Sequence, residues 1–183
     1  MHARLAASSL VLVVLCVGCG QSGPPTSPTS SAAITSTSSD APGGSIAIPF
    51  KGRLEGEADP PVFEPPPSPF FSAHLVASGN ATLLGRFTLD FSHRVNLNTL
   101  VGIGDAALTA ANGDALLTHV EGQATPAGSP TAFTVVETHT VTGGTGRFEG
   151  ASGSFVVTRA VDFANPFTSG SIEGSIFAPS GKF

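Results

Sequence analysis

The sequence predicts an all-β protein whose folded part is an eight-stranded antiparallel up-and-down β-barrel, with a β-sandwich as the alternative. Charged residues make up only 11% of the 183 residues, while Thr, Ser, Gly, Val and Phe are abundant. This composition favours strands and turns over helices. Apolar and polar residues alternate in most of the chain, and no long segment has a helical period. Short turn-forming links separate the alternating runs, as in barrels built from sequential hairpins.

The N-terminal segment has the pattern of an export signal. A basic start precedes an apolar run from residue 5 to 15, which is too short for a transmembrane helix of about 20 residues. The run ends in small residues before Cys19, which is similar to the bacterial lipoprotein cleavage box. We therefore expect residues 1–19 to be a signal peptide with Cys19 as the lipidated residue, and the bacterial cell envelope as the location. An ordinary secretory signal and a secreted protein are the alternative.

A tether is expected between this signal and the folded part. Residues 20–44 contain almost no large apolar side chain and are rich in Ser, Thr and Pro. Such a composition cannot bury a core, so the segment is expected to be disordered. The β-barrel domain is then expected over residues 45–183. We expect the membrane to be contacted through the lipid anchor alone.

Eight alternating runs define the predicted strands. They cover about residues 46–56, 71–78, 83–96, 100–111, 114–125, 132–142, 154–163 and 168–177. The Pro-rich stretch 59–69 is predicted as a loop, because proline lacks the N–H that a sheet ladder needs. Asn112-Gly113 joins the fourth and fifth runs and is a strong hairpin signal.

The glycine-rich stretch 142–153 lies between the sixth and seventh runs. A phosphate-binding loop would be followed by a helix, whereas a strand rich in Phe and Val follows here. The stretch is therefore predicted to be an excursion between two paired strands. Phe148 is expected to pack this excursion back onto the barrel.

Alternation also assigns ionisable residues to the apolar, inward faces. Four are placed there, and all four are candidate ligand-binding residues: His93, Glu137, His139 and Arg159. One register sets Val141 opposite Phe155 and Glu137 opposite Arg159. We predict that this carboxylate and this guanidinium contact each other inside the barrel, because a buried charge must be paired to be tolerated. Whether the pair orients a ligand or only stabilises the fold stays open.

Several chemistries are not expected. Two inward histidines without an HxH or HExxH pattern do not make a metal site, and no cofactor is expected. The GxSxG elbow of many hydrolases is missing. The eight basic residues are scattered, so nucleic acid is not an expected partner. The interior is expected to hold at most a small cavity, because five phenylalanines point inward: Phe87, Phe91, Phe133, Phe155 and Phe163.

Two stretches resemble a known superfamily. "TGGTGRFEGASGSF" (142–155) resembles the glycine-rich signature of the allene oxide cyclase and dirigent β-barrels, in particular bacterial exported proteins called allene oxide cyclase barrel-like. "GNATLLGRFT" (79–88) is similar to their early segment, although Leu83 stands where that segment has His. With "ANGDA", the resemblance covers about residues 46–177. It implies the barrel fold, but no catalytic residue of the cyclases or dirigent proteins maps onto this chain.

Two function classes follow. The first is an envelope-tethered, non-catalytic barrel that binds a small apolar ligand or serves as a structural module. The second, implied by the resemblance, is an isomerase or cyclase acting on a lipid-derived substrate. We favour the first, because the resemblance is evidence for the fold and not for the activity: one fold hosts many functions. The ligand and the oligomeric state are not predicted.

Overall fold

A computed structural model describes residues 46–178 of the chain. The expectations for the signal peptide, for Cys19 and for the tether lie outside the described residues. Within the described range, no helix has the length and the apolar character needed to cross a membrane.

The described chain is all-β. Its strands are β1 (Ile46–Ala58), β2 (Val62–Phe63), β3 (Phe70–Ala81), β4 (Gly85–Asn96), β5 (Val101–Ala110), β6 (Ala115–Pro126), β7 (Ala132–Gly144), β8 (Ser152–Asp162) and β9 (Asn165–Ala178). A single 3₁₀ turn, Gly146–Phe148, lies between β7 and β8. The eight predicted strands are confirmed, and the two-residue β2 is an addition within the predicted Pro-rich loop.

Eight strands close into an antiparallel barrel. Each long strand pairs with the next in the chain, and β1 closes the ring by pairing with both β9 and β3. Strand β2 pairs with β3 at Ser72 and Phe71, beyond the residues of β3 that pair with β1. The predicted barrel is therefore correct, and the alternative of a β-sandwich is wrong.

The predicted register between β7 and β8 is wrong by two residues. His139, and not Val141, lies opposite Phe155, and Arg159 therefore lies opposite Val135. Both strands extend further into the glycine-rich stretch than expected, up to Gly144 and from Ser152. A two-residue slip returns every side chain to the same face, so the predicted inward faces are retained.

One half of the barrel interior is packed with large side chains. We call it the filled half; it adjoins the turns 82–84, 111–114 and 145–151, and its principal residues are Phe50, Leu84, Phe87, Leu108, Leu116, Phe148, Phe155 and Ile176, each at most 4% exposed. The rings of Phe50 and Phe155 lie 4.8 Å apart. Phe148, on the 3₁₀ turn, is fully buried, which confirms that the glycine-rich excursion packs onto the barrel.

The other half of the interior carries small residues on two strands. We call it the open half; it adjoins the links 59–69, 97–100, 127–131 and 163–164. Its inward positions on β5 and β6 include Gly102, Gly104 and Gly122. These positions add no side chain to the interior of the open half. The corresponding part of the filled half is occupied by leucine and phenylalanine side chains.

Candidate functional site

The open half contains a cavity of about 630 Å³, within the range of about 300–1,000 Å³ typical of small-molecule sites. Its mouth is formed by the links between strands at that end of the barrel. Apolar side chains from β3, β4, β7 and β8 form most of its walls. This finding contradicts the expectation of a small cavity filled by phenylalanine.

Two glycines explain why the space exists. A Cβ atom added at Gly122 would lie 2.8 Å from Cγ of Glu137, and one at Gly102 would lie 3.3 Å from Cγ2 of Val95. Both glycines line the cavity. A side chain at Gly102 would project towards the cavity, and one at Gly122 would displace the side chain of Glu137, so the present cavity depends on both glycines.

Aromatic rings surround the mouth. Phe163 lies 5.4 Å from Phe133 and 6.1 Å from Phe71, measured between ring centroids, and both contacts are edge-to-face. Phe163 was expected inside the barrel but is 56% exposed, because β8 ends at Asp162 and Phe163 lies in the following turn. Phe133 is only half-buried at the same end. These rings form an apolar entrance rather than a filling.

The Glu137–Arg159 contact is confirmed at the inner end of the cavity. Nε and Nη2 of Arg159 donate to the two carboxylate oxygens of Glu137 at 2.9 and 2.6 Å, and both side chains are 5% exposed. They are the deepest cavity-lining residues of their strands, since the next inward residues, His139 and Val157, do not line it. The contact is diagonal because of the register difference described above. Two of the five guanidinium donors are used.

His93 points inward, as predicted, and lines the cavity. Its ring stacks on Phe91 with centroids 4.4 Å apart, and within the described chain its buried Nδ1 has no hydrogen-bond partner of normal geometry. Burial lowers the pKa of His93 to about 4, the positive charge of Arg159 acts in the same direction, and the Phe91 backbone opposes them weakly. The imidazole is therefore neutral at pH 7.

His139 belongs to the core and not to the cavity wall. It is 1% exposed, its ring stacks on Phe155 at 4.7 Å, and its Nδ1 lies 3.0 Å from the hydroxyl oxygen of Thr118. Burial lowers the pKa of His139 to about 4, although the carboxylate of Glu137 partly opposes the shift. Of the four candidate ligand-binding residues, three line the cavity and this one lies beneath it.

Acidic residues at the rim were missed by the sequence analysis. Glu57, Asp59 and Asp162 all line the outer part of the cavity. Asp59 is 2.9 Å from Nδ1 of His74, whose Nε2 is 3.3 Å from Asp90. These two acids raise the pKa of His74. The available signal was the position of Asp59 at the start of the Pro-rich stretch 59–69, which the sequence predicts to be a loop.

Two further observations delimit the site. In the range 46–178, no group of three or more His, Cys, Asp or Glu residues is placed to hold a metal ion. A larger and shallower depression of about 1,150 Å³ lies on the outer surface, and its lining includes hydroxyl-bearing side chains such as Thr88, Thr109 and Thr158. It contains no buried polar pair, and the cavity in the open half is the better candidate site.

Comparison with known proteins supports the fold. No protein-family model matches the chain, and no curated protein matches it. Among solved structures, it is similar to the pterocarpan synthase dirigent protein GePTS1, with a TM-score of 0.54 and 14% sequence identity over 81% of this chain and all of the other. At this identity the similarity shows a shared dirigent-like barrel fold. Activity does not follow from it.

Proposed function

We propose that the protein is a non-catalytic binding module that holds a small, largely apolar molecule in the open half of its barrel. The observation that carries this proposal is the cavity of about 630 Å³ with a hydrogen-bonded pair at its inner end. Apolar walls with a few convergent polar groups are the usual composition of ligand sites. The unused donors of Arg159 would then bind the polar group of the ligand.

Export and tethering are part of the same proposal. The apolar run 5–15, the small residues before Cys19 and the polar stretch 20–44 support a lipoprotein that carries the barrel on a tether. Metabolic labelling with a fatty-acid probe tests this, with the Cys19→Ser variant as the control. We expect label on the native chain and none on the variant; label that persists without Cys19 would contradict acylation at this residue.

A dye-binding experiment tests the binding function. Phenylnaphthylamine is uncharged and fluoresces in apolar surroundings, and the chain has no Trp or Tyr to add a background signal. We expect saturable binding of one equivalent to the native protein. Gly102→Phe, which places a ring in the cavity, should abolish it.

The matched control is the neighbouring residue on the same strand. Ile103 points outward and is 48% exposed, so Ile103→Phe adds a ring outside the barrel and should leave binding unchanged. Circular dichroism confirms that both variants fold. No dye binding to the native protein, or equal binding to both variants, would contradict a binding site inside the open half.

An isomerase or cyclase acting on a lipid-derived substrate is the second candidate. The specific observation in its favour is His93, a neutral imidazole that lines the cavity. A positioned base of this kind can accelerate proton transfer by about 10²–10⁴-fold. Incubation with an unsaturated epoxide should then give a rearranged product with the native protein and much less with His93→Phe. A yield equal to that of the uncatalysed reaction would contradict the isomerase and leave binding as the only proposed function.

A further inference from the structure

We propose that the cavity selects organic cations, meaning an apolar, ring-bearing body with a protonated amine, and disfavours carboxylates of the same shape. This inference rests on the proposed binding function and specifies its ligand class. It follows from the distribution of charge along the cavity, from the rings at its mouth and from the state of its inner pair.

The charges that line the cavity are mostly negative. Four acidic residues, Glu57, Asp59, Glu137 and Asp162, line the cavity or its mouth, against the single basic residue Arg159. Glu57 is on the outward face of β1, opposite the exposed Val76, and contributes only from the edge of the mouth. Glu137 neutralises Arg159 through two hydrogen bonds, so the charge that remains around the mouth is negative. A cleft with low-dielectric walls and charges of one sign concentrates ions of the opposite sign.

The rim carboxylates are not neutralised by nearby basic residues. Asp162 accepts a hydrogen bond from the backbone N–H of Ala164 at 2.9 Å, and this bond lowers its pKa. His74 is shared between Asp59 and Asp90, so this trio remains negative even when the imidazole is protonated.

The nearest basic residue of β4 is also engaged elsewhere. Arg94 donates to both oxygens of Glu64, at 2.6 and 2.9 Å, and its guanidinium lies 3.6 Å from the ring centroid of Phe70. Arg94 does not line the cavity. It therefore offers no free positive charge to an anionic ligand at the mouth.

The rings at the mouth add a second attraction for cations. Phe71, Phe133 and Phe163 line the cavity next to the acidic rim. The face of an aromatic ring carries negative charge density and attracts ammonium groups within about 6 Å. At the inner end Glu137 already balances the charge of Arg159, so the unused donors of Arg159 suit a neutral polar group. The inner end therefore offers an anion no net positive charge, and the mouth disfavours one.

Three probes with the same ring system and different charges test the proposal: naphthylethylamine, naphthylethanol and naphthylacetate. Their binding is measured by naphthalene fluorescence anisotropy at pH 8 and low salt. We expect the amine to bind at least about tenfold more tightly than the carboxylate, a difference of about 1.4 kcal/mol, with the alcohol between them. The ratio should shrink towards one at about 1 M salt, where the screening length is about 3 Å.

Substitutions at the rim test which residues cause the preference for the amine over the carboxylate. Asp59→Asn combined with Asp162→Asn should reduce the amine-to-carboxylate ratio at least about threefold and leave the affinity for the alcohol unchanged. Asp105→Asn is the matched control, because Asp105 is an exposed carboxylate paired with a histidine, His119, at 3.0 Å and lies outside the cavity lining. It should leave the ratio as in the native protein.

The outcomes separate this inference from the proposed function. If the alcohol binds but the carboxylate binds as tightly as the amine, charge selection is wrong and the binding function stands. If Asp105→Asn lowers the ratio as much as the rim variant does, the overall charge of the protein selects the ligand and the assignment to the rim is wrong. If none of the three probes binds, both proposals are wrong.

Discussion

The two halves of the barrel share the same strands but differ in what those strands place inside. In the filled half, Phe50 and Phe155 meet at 4.8 Å, and Leu108 and Leu116 are at most 1% exposed. In the open half, the inward positions of β5 and β6 carry glycines, and a cavity remains. Strand number sets the diameter of a barrel, whereas the inward side chains decide whether a given level is solid or hollow.

The boundary between the halves consists of polar residues. Glu137 and Arg159 face the cavity, and directly beneath them His139 stacks on Phe155. These groups are buried yet hydrogen-bonded, as buried polar groups must be. The comparison indicates that the filled half supplies most of the stability and that the open half is free to vary for binding.

The largest expected difference lies between two phenylalanines on neighbouring strands. Phe155→Ala removes a ring that is 1% exposed in the filled half, so we expect a loss of about 3–5 kcal/mol in the free energy of unfolding. Phe133→Ala removes a half-buried ring that borders empty space, and the loss should be about 1 kcal/mol or less. Urea unfolding followed by circular dichroism measures both. Equal losses would show that the two halves contribute equally.

The boundary pair tests how strongly the two halves are coupled. Glu137→Ala or Arg159→Ala leaves one buried charge without its partner, and each should cost about 3–5 kcal/mol. The double variant Glu137→Leu with Arg159→Met replaces both charges with apolar groups and should recover most of that loss.

The four proteins form a double-mutant cycle measured by denaturant unfolding. Losses below roughly 0.5 kcal/mol in the single variants are typical of surface sites and would contradict a buried boundary. Ligand binding by the stable double variant decides whether the pair also serves the cavity.

His139 makes the boundary sensitive to acid. The unfolded chain takes up a proton at this residue near pH 6.5, whereas the folded protein does so only at about pH 4. Its contribution of about 3 kcal/mol is therefore fully present above pH 6.5 and is lost progressively as the pH falls to 4. Unfolding free energies measured from pH 7 to 4 should show this loss. In His139→Phe the slope in this window should be clearly smaller, and an unchanged slope would contradict a neutral, buried imidazole.

The smallest expected effect compares two glycines on one strand. A Cβ atom at Gly104 would overlap the backbone of Ser92 and His93, so Gly104→Ala should cost about 1–3 kcal/mol. A Cβ at Gly102 would meet Val95 at 3.3 Å and otherwise face the cavity, so Gly102→Ala should change stability by less than about 0.5 kcal/mol. Thermal unfolding of the two variants is sufficient. A Gly102→Ala loss as large as that of Gly104→Ala would mean that the cavity wall is tightly packed.

The sequence predicts the barrel well because strand alternation and turn residues are local signals. Asn112-Gly113 and the run from Phe133 to Val141 each specify their own structure. The register between β7 and β8 was not predictable in the same way, because a slip of two residues leaves every inward side chain inward. The register also depends on the glycine-rich turn and on the pairing of β7 with β6 and of β8 with β9, which alternation does not specify.

The candidate site was predicted in part for the same reason. Inward charges such as Glu137 and Arg159 are conspicuous in an apolar alternation, and their contact survives the register difference as a diagonal pair. The cavity is harder to predict, since Gly102 and Gly122 are only weak strand formers when considered one at a time. Their effect appears when strand pairing places them opposite Val95 and Glu137.

The order of strands around the ring equals their order in the chain, so neighbouring strands are joined by local turns at every position except between β1 and β9. That seam, where Ile46 lies opposite Ala178, brings together the two ends of the described chain. A short linker across it, with new chain ends opened at Asn112-Gly113, would give a circular permutant whose seam lies between β5 and β6. The barrel interior would be the same in both proteins, because the position of the seam is a property of the connectivity and not of the packed ring.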